Sequence, residues 1–175
     1  MKSLMNRKRL LYETTEDIYF YMYNILLILN TFECISEEKN FQDYRKLSFL
    51  IDIISNDENY KLFIKYYGKK QEAKSRNLRK LQYLYYDGIE KIKFLRYVLL
   101  IMEKNKLIAI NNNDNKTNVY IIRENNEAEF FINIRFEEVI NKIKNLPRSN
   151  SIKKIAYKTF IKNIFKENGV KVWEE

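Results

Sequence analysis

A helical segment that runs directly into two short apolar segments is the sequence feature that most restricts the fold of this chain. Residues 89–104 carry apolar side chains at helical spacing. The apolar segments 106–110 and 117–122 follow, and the polar residues 111–116 separate them. Two short apolar runs around a polar turn are typical of a β-hairpin. We therefore expect an antiparallel hairpin over residues 105–123, with Asn112–Lys116 at its tip.

A helix followed by a hairpin is the usual outline of a winged-helix domain, in which the hairpin is the wing. We expect a mostly α-helical protein with a small β-hairpin wing, that is, a winged-helix (α+β) domain with extra N- and C-terminal helices. Residues 1–175 should form a single compact body. Its expected parts are an N-terminal helical part over 14–67, a winged-helix core over 75–123 with its wing at 106–123, and a C-terminal helical extension over 124–175.

The N-terminal part should contain a strongly apolar helix that begins near Thr14 or Thr15 and ends near Phe32. Its apolar residues surround the helix axis, so we expect it to be mostly buried, partly against another chain. Asn24 and Asn30 interrupt the apolar run, which is shorter than the roughly 20 residues needed to cross a bilayer. We therefore expect no membrane association.

Further helices are expected at several places along the chain. Helical spacing covers 47–54 and 60–67, and Gly68 should end the second of these. A turn at Asp87–Gly88 should open the helix that precedes the hairpin. After the hairpin, the pattern predicts a strand over 130–134, a helix over 136–143, and a last helix that is capped by Ser149 or Ser151 and continues to Phe165.

The chain contains no histidine and a single cysteine, Cys34. Without histidine it lacks the usual general base, the Ser-His and Cys-His dyads and the commonest metal ligand. One cysteine cannot form an intramolecular disulfide or a Cys-pair zinc motif, and there is no secretory signal pattern, so we expect a cytoplasmic location and a core thiol. We expect a protein that is not an enzyme and has no cofactor, metal or catalytic site.

Charge is distributed unevenly along the chain. Residues 10–60 contain 10 acidic and 3 basic residues, whereas 61–106 contain 13 basic and 4 acidic residues. A basic block of this kind can follow a phosphate backbone, although it could equally be a solvated surface in a lysine-rich protein. The candidate residues for binding DNA or a partner are Lys69, Lys70, Lys74, Arg76, Arg79 and Lys80.

Other basic residues extend this candidate interface. Lys91 and Arg96 lie on the helix before the hairpin, and Lys116 lies at the predicted tip. That helix is apolar nearly all round, so we do not expect it to read bases. Four-residue spacing on the last helix predicts one row of ammonium groups, for which a solvated face is the alternative. The row consists of Lys154, Lys158, Lys162 and Lys166.

Three segments of the chain carry a resemblance to a known family. They are the N-terminal helix EDIYFYMYNILLILNTF, the helix KLSFLIDIIS and the wing FLRYVLLIMEKNKLIAI…VYII. Over residues 15–123 the chain resembles the small middle component of bacterial ABC-three-component and Lamassu-type antiviral defence systems. The resemblance implies a non-catalytic winged-helix subunit, akin to the kite subunits of condensins. It also implies a hetero-oligomer with an SMC-like ABC ATPase and an effector such as a nuclease, with DNA as a further candidate partner.

A second hypothesis is a free-standing winged-helix DNA-binding regulator or plasmid replication protein. Such a regulator should be a symmetric dimer on a pseudo-palindromic site. A third, an enzyme, would need a carboxylate or lysine site that the sequence does not reveal.

Overall fold

The computed structural model of the chain describes residues 18–113, 116–123 and 136–173. Residues 18–31 are helical and are named α1. The later elements are α2 (Arg45–Ser55), α3 (Asp57–Tyr66), α4 (Ser75–Lys104), β1 (Ile108–Asn113), β2 (Lys116–Ile121), α5 (Glu137–Lys144), α6 (Ser149–Ile152), α7 (Tyr157–Ile164) and a 3₁₀ turn (Lys166–Asn168). The expectation of a mostly helical fold with a small hairpin is confirmed.

The hairpin pairs β1 with β2 in antiparallel register, from Ile108 opposite Ile121 to Asn113 opposite Lys116. Ile108, Val119 and Ile121 are buried, so the alternation of the strands fixes which face of the hairpin lies on the core. The predicted tip was too wide, because Asn112, Asn113 and Lys116 belong to the strands. Residues 114–115 lie outside the described residues.

A third extended segment joins the hairpin. Phe41 forms an antiparallel bridge with Val119, in which each backbone amide donates to the other's carbonyl at 2.9 and 3.0 Å. The amide of Tyr44 donates to the carbonyl of Thr117, and the amide of Ile121 donates to that of Cys34. The segment between α1 and α2 therefore lies along β2 and attaches the hairpin to the N-terminal helices.

The predicted turn at Asp87–Gly88 was wrong, because α4 runs without interruption through Gly88. Gly88 is buried where α4 crosses α2, and a Cβ atom there would lie 2.3 Å from Cε1 of Phe49. Real Cβ atoms do not approach carbon so closely. Because Gly88 has no side chain, α4 and α2 can pack closely at this point, and the chain does not change direction there.

The predicted continuous last helix was also wrong, because the chain divides into α6 and α7. Between them, the buried ammonium of Lys46 donates to the carbonyls of Ile152 (2.7 Å) and Ile155 (2.6 Å). The amide of Gln42 donates to the carbonyl of Lys153. Since these partners hold the carbonyls that a continuous helix would use, the segment leaves the helical path.

Most of α1 is buried within this chain, and Ile25 and Leu29 have no exposed surface. Exposure is concentrated at its start, where Tyr19 is 69% and Phe20 45% exposed. The apolar excess over the middle of α1 thus gives no support to a partner there, and contact with another chain stays a prediction for Tyr19 and Phe20. Within residues 18–113, 116–123 and 136–173, no helix combines the length and apolarity needed to cross a membrane.

Two predicted features cannot be compared with the structure. The start of the first helix at Thr14 or Thr15 and the strand over 130–134 lie outside the described residues. The other helices expected over 47–54, 60–67 and 136–143 correspond to α2, α3 and α5. Gly68 follows α3 with φ +70°, a conformation that glycine adopts without strain, as expected for a helix stop.

We predict that Gly88→Ala destabilises the chain, although alanine is the better helix former by about 1 kcal/mol. The added methyl group must displace the Phe49 ring, and overpacking of this kind costs roughly 1–3 kcal/mol. Urea unfolding followed by circular dichroism measures the change. Glu90→Ala, at an exposed position of the same helix, is the control. A Gly88→Ala chain as stable as the wild type would contradict the packing role.

Candidate nucleic-acid and partner interface

Lys91 lies inside a salt-bridge cluster. Its ammonium is 2.8 and 2.9 Å from the two carboxylate oxygens of Asp52 on α2, and 2.6 Å from Oδ2 of Asp87. Burial alone would lower the pKa of Lys91, but the hydrogen bonds to Asp52 and Asp87 outweigh it and raise that pKa. The positive charge of Lys91 is therefore neutralised within the fold, where its salt bridge to Asp52 joins α4 to α2.

Lys80, another residue of the basic block, also forms a salt bridge and so differs from the unpaired members of that block. Its ammonium is 2.7 Å from Oε2 of Glu58 on α3. Together with the Asp52–Lys91 bridge, this pair shows that acidic residues of the N-terminal part and basic residues of the middle part neutralise one another where α2 and α3 pack on α4. The two opposite charge blocks of the sequence are thus not two fully separate surfaces.

The rest of the basic block is exposed, and we call these residues the basic surface. It covers the segment before α4 and the first turns of that helix. No salt bridge joins these side chains to a described carboxylate. The members, all exposed, are Lys69, Lys70, Lys74, Arg76 and Arg79.

A buried asparagine fixes the segment that carries the basic surface. The Asn168 amide has no exposed surface and donates to the carbonyls of Tyr66 (3.2 Å) and Ile164 (2.9 Å). Its Oδ1 accepts from the amide of Gln71, and its own carbonyl accepts from the amide of Ala73. Residues 66–73 are thereby held against the C-terminal segment, so the basic side chains project from a fixed backbone.

Arg148 adds to this surface and was missed by the sequence analysis. A Cβ atom on Gly68 would lie 3.4 Å from Cζ of Arg148, so the exposed guanidinium rests directly on the backbone beside Lys69. Arg148 is distant in sequence from the basic block, and no local pattern links the two. Only the fold of the C-terminal segment brings them together.

The position of the basic surface opposes the dipole of α4. The N-terminal end of a helix carries a partial positive charge, and acidic residues normally occupy the first turn. The first turn of α4 contains no acidic residue, and no side chain caps it. Lys74 and Arg76 add positive charge instead. The end of α4 is therefore electrostatically unfavourable by itself and suited to an anion such as phosphate.

A second exposed surface follows α4 along its whole length. Its residues are separated alternately by three and four positions, the spacing of the contact residues in a coiled coil. Four of them are large and apolar or aromatic, with Tyr83 77%, Tyr97 54%, Leu100 52% and Tyr86 42% exposed. We call this row the α4 seam, and its members, all exposed, are Arg76, Arg79, Tyr83, Tyr86, Glu90, Lys93, Tyr97, Leu100 and Lys104.

The opposite side of α4 packs against the chain's own core. Leu81, Leu84, Leu95, Val98 and Met102 are buried there. This explains why the helix reads as apolar nearly all round. One apolar side packs into the core, and the other side remains exposed.

Two other candidate residues, Arg96 and Lys116, lie near the hairpin. Arg96 lines a hollow of about 260 Å³ between α4 and the hairpin, together with Glu103, Ile110 and Thr117. The mixed charges of Arg96 and Glu103 give it no strong preference for an anion. Lys116 is exposed at the outer end of β2.

The four C-terminal lysines do not form the predicted row on one helix. Lys154 lies in the segment between α6 and α7, Lys158 and Lys162 lie on α7, and Lys166 begins the 3₁₀ turn. All four are exposed. Lys158, Lys162 and Lys166 nevertheless line one groove together, whereas Lys154 is not among the residues that line it.

Lys46 is the most perturbed basic group among the described residues, and sequence reasoning missed it. Its side chain is fully buried, and burial lowers the pKa of Lys46 to about 7. A lysine with such a pKa can act as a nucleophile in an enzyme. Lys46, however, donates to backbone carbonyls, and it lines neither the hollow between α4 and the hairpin nor the groove that contains Lys158, Lys162 and Lys166. The arrangement gives it a structural role.

Two further kinds of site were considered, a metal site and a reactive thiol. Among the described residues, no three His, Cys, Asp or Glu side chains are grouped to hold a metal ion. Cys34 is buried, and burial raises the pKa of its thiol to about 12. A thiol of this kind is protonated at neutral pH and is a poor nucleophile. Its placement agrees with the expectation of a core thiol.

Comparisons with known proteins give no relative. No protein-family model, curated protein or solved structure matches the chain.

We predict that Lys46 makes the stability of the chain increase with pH between 7 and 9. The folded chain releases the Lys46 proton near pH 7, whereas the unfolded chain keeps it to about 10.5, so the unfolded chain binds more protons between these values. The free energy of unfolding should therefore rise by up to about 1.4 kcal/mol per pH unit from this group.

Urea unfolding of the wild type and Lys46→Met at pH 7, 8 and 9 tests this prediction. Cys34 and the other titrating groups are common to both chains, so the difference between them isolates Lys46. That difference should grow in favour of the wild type as the pH rises. A difference that stays constant across the three pH values would mean that Lys46 keeps an ordinary pKa.

Proposed function

We propose that this chain is a non-catalytic winged-helix subunit that connects an SMC-like ABC ATPase to an effector in a bacterial antiviral defence complex, and that it contacts DNA through its basic surface. The α4 seam is the observation that carries the proposal. A monomeric protein rarely leaves such a row of large apolar side chains in water. The family resemblance of residues 15–123 supplies the kind of partner.

The spacing of the α4 seam favours a helical partner. A row with alternating intervals of three and four residues stays on one side of a helix over many turns, and a second helix can pack along it. The α4 seam contains Tyr83, Tyr86 and Tyr97, and tyrosine is one of the residue types enriched at the energetically important positions of protein interfaces. The coiled-coil arms or the helical neck of an SMC-like ATPase would offer a surface of this shape.

The basic surface supports contact with a phosphate backbone. Five exposed cations with no described carboxylate partner, together with the uncapped N-terminal end of α4, favour an anion over a neutral protein surface. These groups lie on a backbone that Asn168 fixes, so binding costs little ordering of the main chain. Contacts of this kind bind DNA regardless of its sequence.

Sequence-specific recognition receives less support. A recognition helix presents polar side chains that reach base edges in the major groove. The exposed side of the second half of α4 presents Tyr97 and Leu100 instead, and Lys91 is paired with two carboxylates. The free-standing regulator remains the alternative, and it predicts a symmetric dimer with sequence preference.

We predict that Tyr83→Ser combined with Tyr97→Ser weakens the association with the ATPase by about tenfold or more, since buried interface tyrosines commonly contribute above 1 kcal/mol each. The tagged chain would be isolated from its native cells, and the recovered ATPase quantified by mass spectrometry. Asn141→Ala combined with Thr159→Ala is the control, because both residues are exposed but lie on α5 and α7, outside the α4 seam. Equal recovery with both variants would place the contact elsewhere.

We predict that Lys70→Gln, Arg76→Gln and Arg79→Gln together weaken binding to duplex DNA to the same extent for unrelated sequences. Each phosphate contact that is lost should reduce the slope of log affinity against log salt by about one. Fluorescence anisotropy of labelled duplexes across a salt series measures both quantities.

A charge-matched variant controls for the change in net charge. Lys39→Gln, Lys144→Gln and Lys171→Gln remove three exposed lysines outside the basic surface. This control should keep the affinity and the salt slope of the wild type within error. If both triple variants lose affinity equally, the binding follows net charge alone and the basic surface has no special role.

A further inference from the structure

The charges within the α4 seam are mostly of one sign. Glu90 is its one carboxylate, and no salt bridge joins any charged member of the seam to a described residue. The seam therefore presents an excess of positive charge to whatever covers it. Its cations, all exposed, are Arg76, Arg79, Lys93 and Lys104.

These cations lie in the contact row itself. Lys93 lies between the large exposed side chains of Tyr86 and Tyr97, and Lys104 lies one helical turn beyond Leu100. A helix that packs along the row must therefore cover charges as well as apolar surface. A cation that loses its contact with water requires a compensating anion. The partner should carry carboxylates opposite the cations and apolar side chains opposite Tyr97 and Leu100.

A second copy of this chain fits the α4 seam less well. Two seams in contact would bring together twice the four cations and twice the one carboxylate. In a parallel pairing, every charge faces its own copy. An antiparallel pairing can set Glu90 opposite Lys93 of the other copy, but the same register sets Arg79 opposite Lys104 at both ends. Like charges in contact oppose association, so the charge pattern favours a different, acidic chain.

Duplex DNA also fits the whole seam less well. Lys104 lies about 38 Å from Arg79 along the axis of α4, by the rise of an α-helix. A duplex offers phosphates to both ends, but its backbone offers no apolar surface to Tyr97 and Leu100, which are 54% and 52% exposed. An acidic amphipathic helix offers both kinds of contact over the same length.

We propose that the α4 seam binds an acidic amphipathic helix of a partner protein, with its apolar side on the tyrosines and Leu100 and its carboxylates facing the four cations. The proposal rests on the proposed function, in which the seam contacts a protein, and it adds the chemistry of that protein. Because Arg76 and Arg79 also belong to the basic surface, the helix and DNA compete for them, and each lowers the affinity for the other.

Photo-crosslinking from the seam identifies the occupant. The tagged full chain, with p-benzoylphenylalanine in place of Tyr97, would be irradiated in its native cells and the joined segment sequenced by mass spectrometry. We expect a segment of another protein that has apolar residues at intervals of three and four and an excess of Asp and Glu. The same crosslinker in place of Asn141, an exposed residue on α5, should not join that segment.

Several results of this experiment would overturn the proposal. They are a crosslink to a second copy of this chain, to a neutral or basic segment, or to a nucleic acid, and the absence of any crosslink from position 97.

A synthetic peptide of the joined segment measures the contribution of charge. Lys93→Glu with Lys104→Glu should weaken its binding to the full chain by about tenfold or more, because carboxylates then face carboxylates. Lys39→Glu with Lys144→Glu makes the same change in net charge at exposed positions outside the seam and is the control. A peptide with Gln and Asn in place of its Glu and Asp should bind the wild type and the seam variant equally. Equal losses in the two lysine variants would overturn the proposal.

The peptide also tests the competition with DNA. At saturation it should weaken the binding of a labelled duplex and lower the slope of log affinity against log salt by about two, since it covers Arg76 and Arg79. Unchanged duplex binding would show that the helix does not reach these two residues and would overturn its placement along the whole seam.

The outcomes for this inference and for the proposed function can be told apart. An ATPase in the isolated complex, with a neutral or basic segment joined to position 97, would overturn this inference and leave the proposed function in place. An acidic helix from a protein other than an ATPase or its effector would support this inference and contradict the proposed function.

Discussion

The buried ammonium of Lys46 is the interaction on which the arrangement of the C-terminal half depends. It takes the carbonyls of Ile152 and Ile155 out of helical bonding, so the chain divides into α6 and α7 at that point. The same residue lies in the first turn of α2, and the segment before that helix pairs with β2 through Phe41. The Lys46 side chain therefore connects α2 to the C-terminal segment, next to Phe41, which pairs with the hairpin. Burial lowers the pKa of Lys46 to about 7, which shows that this junction carries an electrostatic cost.

Helix α4 packs on α2 and α3 with one side and exposes the other side to solvent. Salt bridges from Lys91 to Asp52 and from Lys80 to Glu58 hold it on α2 and α3, and Gly88 allows close contact with Phe49. With one side fixed to the core, the other presents the α4 seam, and its first turns continue into the basic surface. One helix therefore carries both a row of exposed large side chains and an end with exposed cations.

The sequence predicted the local elements well and the long-range arrangement poorly. The hairpin and α2 could be predicted from the local spacing of apolar residues, and both are present within a few residues of the predicted bounds. The break after α6 depends on Lys46, which is more than 100 residues away in sequence, so no local pattern could indicate it. The α4 seam was readable in principle, because its intervals of three and four residues lie in one continuous segment. The assumption that Gly88 marks a turn divided that segment and concealed the row. The basic residues were identified by composition, but only the fold separates the paired Lys80 and Lys91 from the exposed members.

We propose that the chain is one component of a larger complex. The composition of the assembly that contains the chain in its native cell distinguishes this role from that of a free-standing protein. Native mass spectrometry of the chain isolated from its own cells, with sequencing of whatever accompanies it, measures the composition and stoichiometry. We expect a hetero-complex that contains an ATPase with Walker motifs and long coiled coils, together with an effector. A symmetric homodimer, or a monomer with no ATPase at native expression levels, would contradict it and favour a free-standing regulator.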